Sequence, residues 1–347
     1  MNEQYIIRAK RKDDHIVQFL RHKPGLHNGF EDVVLQNNSL PELSFDAIDT
    51  STVFLKRKID FPLMLNATTG GTDYTKEINR ELAQLAKQLK LPIAVGSQTV
   101  AADNPESAES FRVVRDICSD NIVIANVSAG SSEDRVKKAI EMVEADAVQL
   151  HLNAPQEMCM AEGDRSFAGI LKNIEHIIKS IEIPLIVKET GFGMSYETAC
   201  RLGEIGVEYI DISGKGGTDF IAIESSRNQS FDCSFLKNWG IPTALSLLEC
   251  RQASGSIYII CSGGITNSEE IVKSLCMGAD LTAMSGAVLR LLVNEGFDRA
   301  LAYLEKLKNE VKIIMLLLGA ASIEELRNIK YILKGEVKEL FESKFKR

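Results

Sequence analysis

Between residues 61 and 300 the apolar positions fall into short runs, each followed by a glycine or turn and then by a helical stripe. PLMLN (62–66), LPIAVG (91–96), IVIAN (122–126), DAVQLHL (146–152), IPLIVKE (183–189), VEYIDIS (207–213), SIYIICS (256–262) and ADLTAMS (279–285) read as strands. Near-continuous apolar strands separated by amphipathic helices are the pattern of a parallel sheet buried on both faces. Eight successive units are the number that closes a (β/α)8 TIM barrel, so the fold class is α/β. An open doubly wound sheet is disfavoured, because no glycine fingerprint of dinucleotide-binding spacing follows the first strand. The barrel is assigned to 61–300, an irregular N-terminal extension to 1–60 and helices to 301–347 that close the barrel base or pack on another subunit. Within the flanks, RAKRKDDHIVQFL (8–20) reads as a helix, 40–59 as extended segments and 311–320 as a buried helix. Ser322, with Glu325 three residues on, fits the capping box of a helix through 333.

One strand breaks the apolar rule. Gln149, His151 and Asn153 alternate with Val148, Leu150 and Leu152, so one face is polar throughout; Pro155 then ends the strand, and Gln156 and Glu157 follow. A half-exposed edge strand and a ligand site both fit that alternation. In a barrel the chemistry stands on the loops after the strands. The last three loops, SGKGGT (213–218), SGGI (262–265) and SG (285–286), are glycine-rich, and two run straight into helices. Adjacent loops of that kind favour phosphate binding over tight turning alone. Lys188 lies inside a strand and needs an anionic partner. A neighbouring carboxylate or an electron-rich flat cofactor would serve; amide and hydroxyl groups at Ser97, Gln98 and Asn126 favour a flavin, and a Schiff-base lysine is the chemical alternative.

Composition narrows the partners. The 347 residues carry a net charge of −8, with 45% hydrophobic and 25% charged residues, a soluble balance that argues against nucleic acid and leaves room for small anions. The seven cysteines have no CxxC spacing, which suits neither a zinc site nor a disulfide framework and points to a reducing cytosol. No signal-peptide run and no membrane-length apolar stretch stand in the chain, so a cytoplasmic location is expected. Lys10, Arg11, Lys12 and His15 make a basic helix face, which solvent alone would satisfy.

RKxxH at 11–15, NATTGG at 66–71, VGSQ at 95–98, QLHLNxxQE at 149–157, KExGxG at 188–193, SGxGGT at 213–218 and SGGI at 262–265, in that order over nearly the whole chain, resemble type 2 isopentenyl-diphosphate isomerase. The resemblance implies a barrel that binds FMN and magnesium, forms a homo-oligomer (tetramer or octamer), and interconverts isopentenyl and dimethylallyl diphosphate for isoprenoid biosynthesis. It implies that Ala67, Thr68, Thr69, Ser97, Asn126, Lys188, Ser213, Thr218, Gly263, Gly264, Ala283 and Met284 line FMN. Arg11, Lys12, Ser97, Gln98, His151, Asn153 and Gln156 would hold the diphosphate substrate, Glu157 the magnesium, and Lys188, His151 and Gln156 would be catalytic. The family commonly has methionine at Thr68 and arginine at Thr99. No net electrons move in the isomerisation. The expectation is that reduced FMN shuttles the proton, Lys188 favours its anionic form, and NAD(P)H serves only as its reductant.

Three rivals make different demands. A 2-hydroxy acid oxidase-like flavin oxidoreductase would use a histidine base from the later strands, whereas all five histidines lie at or before residue 176, ahead of the fifth strand. A nucleotide dehydrogenase of the inosine monophosphate type would need a cysteine after the sixth strand, where GKGGTDF stands and the nearest is Cys233. A non-catalytic phosphate binder would need neither Lys188 nor Glu157. The segment 228–240, which carries Trp239, is expected to be mobile without substrate.

Overall fold

Eight parallel strands close on themselves in the order of the chain: β1 (Leu63–Leu65), β2 (Ile93–Ala94), β3 (Val123–Ser128), β4 (Ala147–Leu152), β5 (Leu185–Glu189), β6 (Tyr209–Asp211), β7 (Tyr258–Cys261) and β8 (Leu281–Met284). Seven lie inside the runs read from the sequence, and β3 runs two residues beyond its run, to Ser128. The computed structural model describes residues 3–22, 27–227 and 232–346; of 3–11, 102–103 and 105 only the backbone is described. Arg11 and residues 228–231 of the 228–240 segment, both singled out from the sequence, therefore lie outside the described side chains and residues.

The register fixes which side chains share the barrel interior. Asn126 pairs with Gln149, His151 with Lys188, and Lys188 with Asp211 across β3 to β6. Gln149 is fully buried, so the polar face of β4 points inward and the edge-strand alternative falls. Below it, Met64, Ala94, Ile124, Ala147, Ile186, Ile260 and Leu281 form an apolar plug with Phe54 and Ile59. Those two residues belong to an antiparallel hairpin, Thr52–Phe54 with Arg57–Ile59, which closes the base. The C-terminal helix Phe297–Leu318, expected to close the base or pack on another subunit, lies on the helices Ser268–Cys276 and Gly286–Glu295.

The capped helix at Ser322 is real but one turn long, Ile323–Leu326. Ser322 Oγ accepts the Glu325 N–H (3.2 Å), while the Glu325 carboxylate reaches the Ala321 amide (2.7 Å), one residue earlier than a capping box requires. Tyr331–Leu333 then pair antiparallel with Val33–Leu35, turning Tyr331 and Leu333 onto the core, so tertiary pairing overrides the helical pattern.

The expectation about cysteines is also corrected. Cys159 and Cys233, 74 residues apart, are joined by a disulfide with Cα atoms 5.9 Å apart; the other five are free. The fold brings the loop after β4 against the loop after β6, which sequence spacing does not reveal. Among the described residues no helix is long and apolar enough to cross a membrane.

Candidate active site

A cavity of about 670 Å³ opens at the carboxyl ends of the strands. Ala67, Thr68 and Thr69 after β1, Ser97 after β2, Asn126 on β3 and Lys188 on β5 line it. So do Ser213 and Thr218 after β6, Gly263 and Gly264 after β7, and Ala283 and Met284 of β8. His151, Asn153, Gln156 and Glu157 line the same cavity from β4 and the short helix Ala154–Cys159, which Pro155 helps to start. Thr99 is also present, its hydroxyl 3.1 Å from that of Ser97.

Gln98 does not join them. It is fully buried, its Oε1 accepts the Asn126 N–H (2.9 Å), and its Nε2 donates to Ala139 O (2.9 Å). Both ends of its amide serve the barrel wall, so the expected substrate contact is replaced by support of Asn126.

The glycine loops have a steric reason. Gly263 and Gly264 hold φ of +112° and +78°, and a Cβ on them would stand 2.2 Å from Gly214 O and 2.3 Å from Gly216 O. The loops after β6 and β7 therefore touch backbone to backbone, which only glycine permits. Beside them the helix Gly286–Glu295 begins at the cavity wall, a favourable place for an anion.

Lys188 is buried and has found its partner in the protein. Its Nζ donates to Glu189 O (2.7 Å) and lies 3.4 Å from Asp211 Oδ2, so the anion that the sequence reading favoured in a cofactor is met by a neighbouring strand. Asp211 also accepts from Asn66 Nδ2 (2.7 Å), Ser262 Oγ (2.5 Å) and the Ser213 N–H (3.2 Å). The ammonium still lines the cavity, so it remains in place to meet a bound group.

Glu189 points the other way, accepting the Phe192 and Gly193 N–H groups (2.6 and 3.1 Å) that shape the loop after β5. Burial pushes its carboxyl up to about 8, against the pull of those amides and the Lys188 charge. The folded state then holds this proton more tightly than the unfolded chain, whose value is the ordinary 4.5. That contribution is complete below the unfolded value and is lost as pH rises through about 8. Wild-type stability should therefore fall relative to Glu189→Gln by on the order of 3 kcal/mol between mildly acidic and mildly alkaline pH. Urea unfolding of both proteins across that window measures it, and a pH-independent difference would contradict it.

Three contributors, Phe19, Arg290 and Glu224, escaped the sequence reading, whereas the N-terminal helix and Lys12 stand at the cavity as expected. The N-terminal helix Glu3–Arg21 covers one wall with Lys12, His15, Ile16 and Phe19, and Lys12 Nζ donates to Ser97 O (3.2 Å). Arg290 secures that helix by donating to the carbonyls of Phe19, Leu20 and His22 (each 2.8 Å), with its guanidinium 4.6 Å from the Phe19 ring centroid. Glu224, on the unforeseen helix Phe220–Arg227, accepts from Gln156 Nε2 (3.0 Å), pairs with His15 Nε2 (2.8 Å) and contacts Arg227. Burial works to raise the Glu224 carboxyl, but His15, Arg227 and Gln156 together hold it below the ordinary range. Asp219, which accepts the Ala222 N–H (2.9 Å), was the one available signal: a helix start directly after GGT.

Glu157 stands at the rim with Glu162 and Asp164. Its carboxylate accepts from Asn153 Nδ2 (2.7 Å) and the Asp164 N–H (2.9 Å). Among the described residues no group of three metal-ligating side chains forms a dedicated cage.

Residues 164–332 match the family model described as FMN-dependent dehydrogenase. The isopentenyl-diphosphate delta-isomerase of Geobacillus sp. (strain WCH70) is 40% identical over 95% of this chain and 94% of its own length. Those of Listeria innocua and Bacillus licheniformis are 40% and 41% identical, over 96% and 95% of this chain and 93% and 94% of their own lengths. Among solved structures, a mandelate oxidase variant with a monooxide FMN adduct superposes with a TM-score of 0.67 at 18% identity, over 95% of this chain and 100% of that one. A flavocytochrome b2 variant with pyruvate bound gives 0.68 at 20%, over 94% and 84%. At such identities these two share the fold.

Proposed function

This chain belongs to the isopentenyl-diphosphate delta-isomerase family, an FMN-dependent barrel isomerase, and from that premise we propose how its own residues divide the work. The observation that carries the reading is convergence: all twelve positions assigned to FMN, together with Lys12, His151, Asn153, Gln156 and Glu157, line one cavity. The backbone-packed glycine loops and the N-terminus of Gly286–Glu295 fit the FMN phosphate, and Lys188 with the amide-lined strand ends fits the ring. When bound, reduced FMN supplies the acid–base centre for moving a proton between the two ends of the allyl unit.

Around it the chain binds and orients isopentenyl or dimethylallyl diphosphate. Lys12, Ser97, His151, Asn153 and Gln156 hold the diphosphate, Arg11 joining from the same helix as Lys12. Glu157 would hold magnesium, which would supply positive charge against the substrate diphosphate; an ion of this kind, largely ligated by water, needs one protein carboxylate and no dedicated cage. Glu224 holds His15 and Gln156 in one arrangement over the mouth, and Phe19 and Ile16 keep water from the reacting carbons. In the same reading NAD(P)H only reduces the flavin, residues 1–60 complete the site of a 61–300 barrel, residues 301–347 pack on it, and the protein works in the cytoplasm as a homo-oligomer.

The oxidase-like alternative lacks its base, because the histidines that line the cavity are His15 and His151, and none follows β5. The purified chain should take up FMN and, once reduced, convert isopentenyl to dimethylallyl diphosphate in a magnesium-dependent reaction. A chain that stays colourless with added FMN would overturn the assignment.

A further inference from the structure

The floor of the cavity holds a continuous line of side-chain hydrogen bonds whose direction is set at one end. Asp211 is fully buried, and every polar partner around it donates: Asn66 Nδ2, Ser262 Oγ, the Ser213 N–H and the Lys188 ammonium. Because Asp211 accepts, Asn66 must turn its NH2 group toward it and its Oδ1 away. The Ala67 backbone N–H, a donor that cannot be reversed, meets that Oδ1 at 2.9 Å and requires the same orientation. Asn66 Oδ1 then takes the Gln149 NH2 (3.1 Å), so Gln149 Oε1 faces the Asn126 NH2 (3.0 Å) and Asn126 Oδ1 faces His151 Nδ1 (2.8 Å). An amide oxygen only accepts, so the ring nitrogen opposite must carry a hydrogen. Asn66, Gln149 and Asn126 are all buried, and no other arrangement satisfies every group in the line.

We propose that Asp211 is a positioning residue for His151: acting through Asn66, Gln149 and Asn126, it fixes the imidazole hydrogen on Nδ1. Nε2 is then the nitrogen on the ring edge away from the floor, an acceptor while the ring is neutral and a donor to an anion once it is protonated. The purpose given to that edge, meeting a diphosphate, rests on the function proposed above; the tautomer does not. One carboxylate thus sets two basic side chains of the site, Lys188 by direct pairing and His151 by relay.

The test is 15N spectroscopy of full-length protein labelled at the histidine ring nitrogens, held about two pH units above the ordinary histidine value so that the rings are neutral. His151 is assigned by loss of its signals in His151→Gln. The expected wild-type result is hydrogen on Nδ1. Gln149→Leu cuts the relay at its midpoint and should admit the Nε2–H form. Hydrogen on Nε2 in the wild type, or an unchanged tautomer in Gln149→Leu, overturns the proposal, and the wild-type spectrum decides alone if that variant does not fold. None of these measurements uses flavin or substrate, so a failed isomerase assay would leave the relay standing, and a failed relay would leave the isomerase reading untouched.

Discussion

Lys188→Met is expected to lower isomerase turnover about a thousandfold, the upper range for removing one preorganised electrostatic contact in a closed site. Methionine keeps much of the length and apolar stem but removes the charge that faces the cavity. The same change strands Asp211, which is fully buried and loses its only countercharge among the described contacts. Breaking a buried pair from one side costs about 3–5 kcal/mol, and the three remaining donors to Asp211 place this case toward the lower figure. The two effects separate in Lys188→Met with Asp211→Asn, in which no buried charge is left unpaired. Thermal unfolding should recover most of the lost stability in the double variant, and turnover should not recover. Recovery of turnover along with stability would mean that Lys188 acts only as a structural cation.

Glu157→Gln should reduce activity by about a hundredfold at low magnesium, in line with the loss of a metal-orienting group. Both Glu157 oxygens accept hydrogen bonds, from Asn153 and from the Asp164 amide. Glutamine can satisfy only one of these with its oxygen and presents a donor to the other, so it removes charge and misplaces the rim together. With the ion shared between Glu157 and the substrate diphosphate, as proposed, raising magnesium should restore part of the rate. A magnesium titration of the initial rate that superimposes on the wild type would refute the role given to Glu157.

The strands were legible because burial on both faces leaves a continuous apolar run, and eight such runs allow few other folds. The polar face of β4 was legible as an anomaly, and only closure of the barrel could decide that it points inward. Lys188 was found for a sound reason, the cost of burying an ammonium, but its partner lies 23 residues away on the next strand, where only register brings it close. Gln98 and Gln149 look alike in sequence beside the site, yet Gln98 spends its amide on the barrel wall and Gln149 spends its own on Asn66 and Asn126 in the cavity floor. Glu224, Phe19 and Arg290 were missed because packing between distant segments places them, and none carries a local motif. The disulfide and the short strand at Tyr331–Leu333 were missed for the same reason.

The proposed isomerisation in this flavin-binding barrel runs with no net redox change and depends on the reduced cofactor. It is tested most directly by following isopentenyl diphosphate under anaerobic conditions with magnesium, once with FMN fully oxidised and once fully reduced, with no nicotinamide present in either. Conversion to dimethylallyl diphosphate is expected only in the reduced sample, with the flavin still reduced at equilibrium. Equal rates in the two samples, or flavin oxidised in proportion to product, would contradict it.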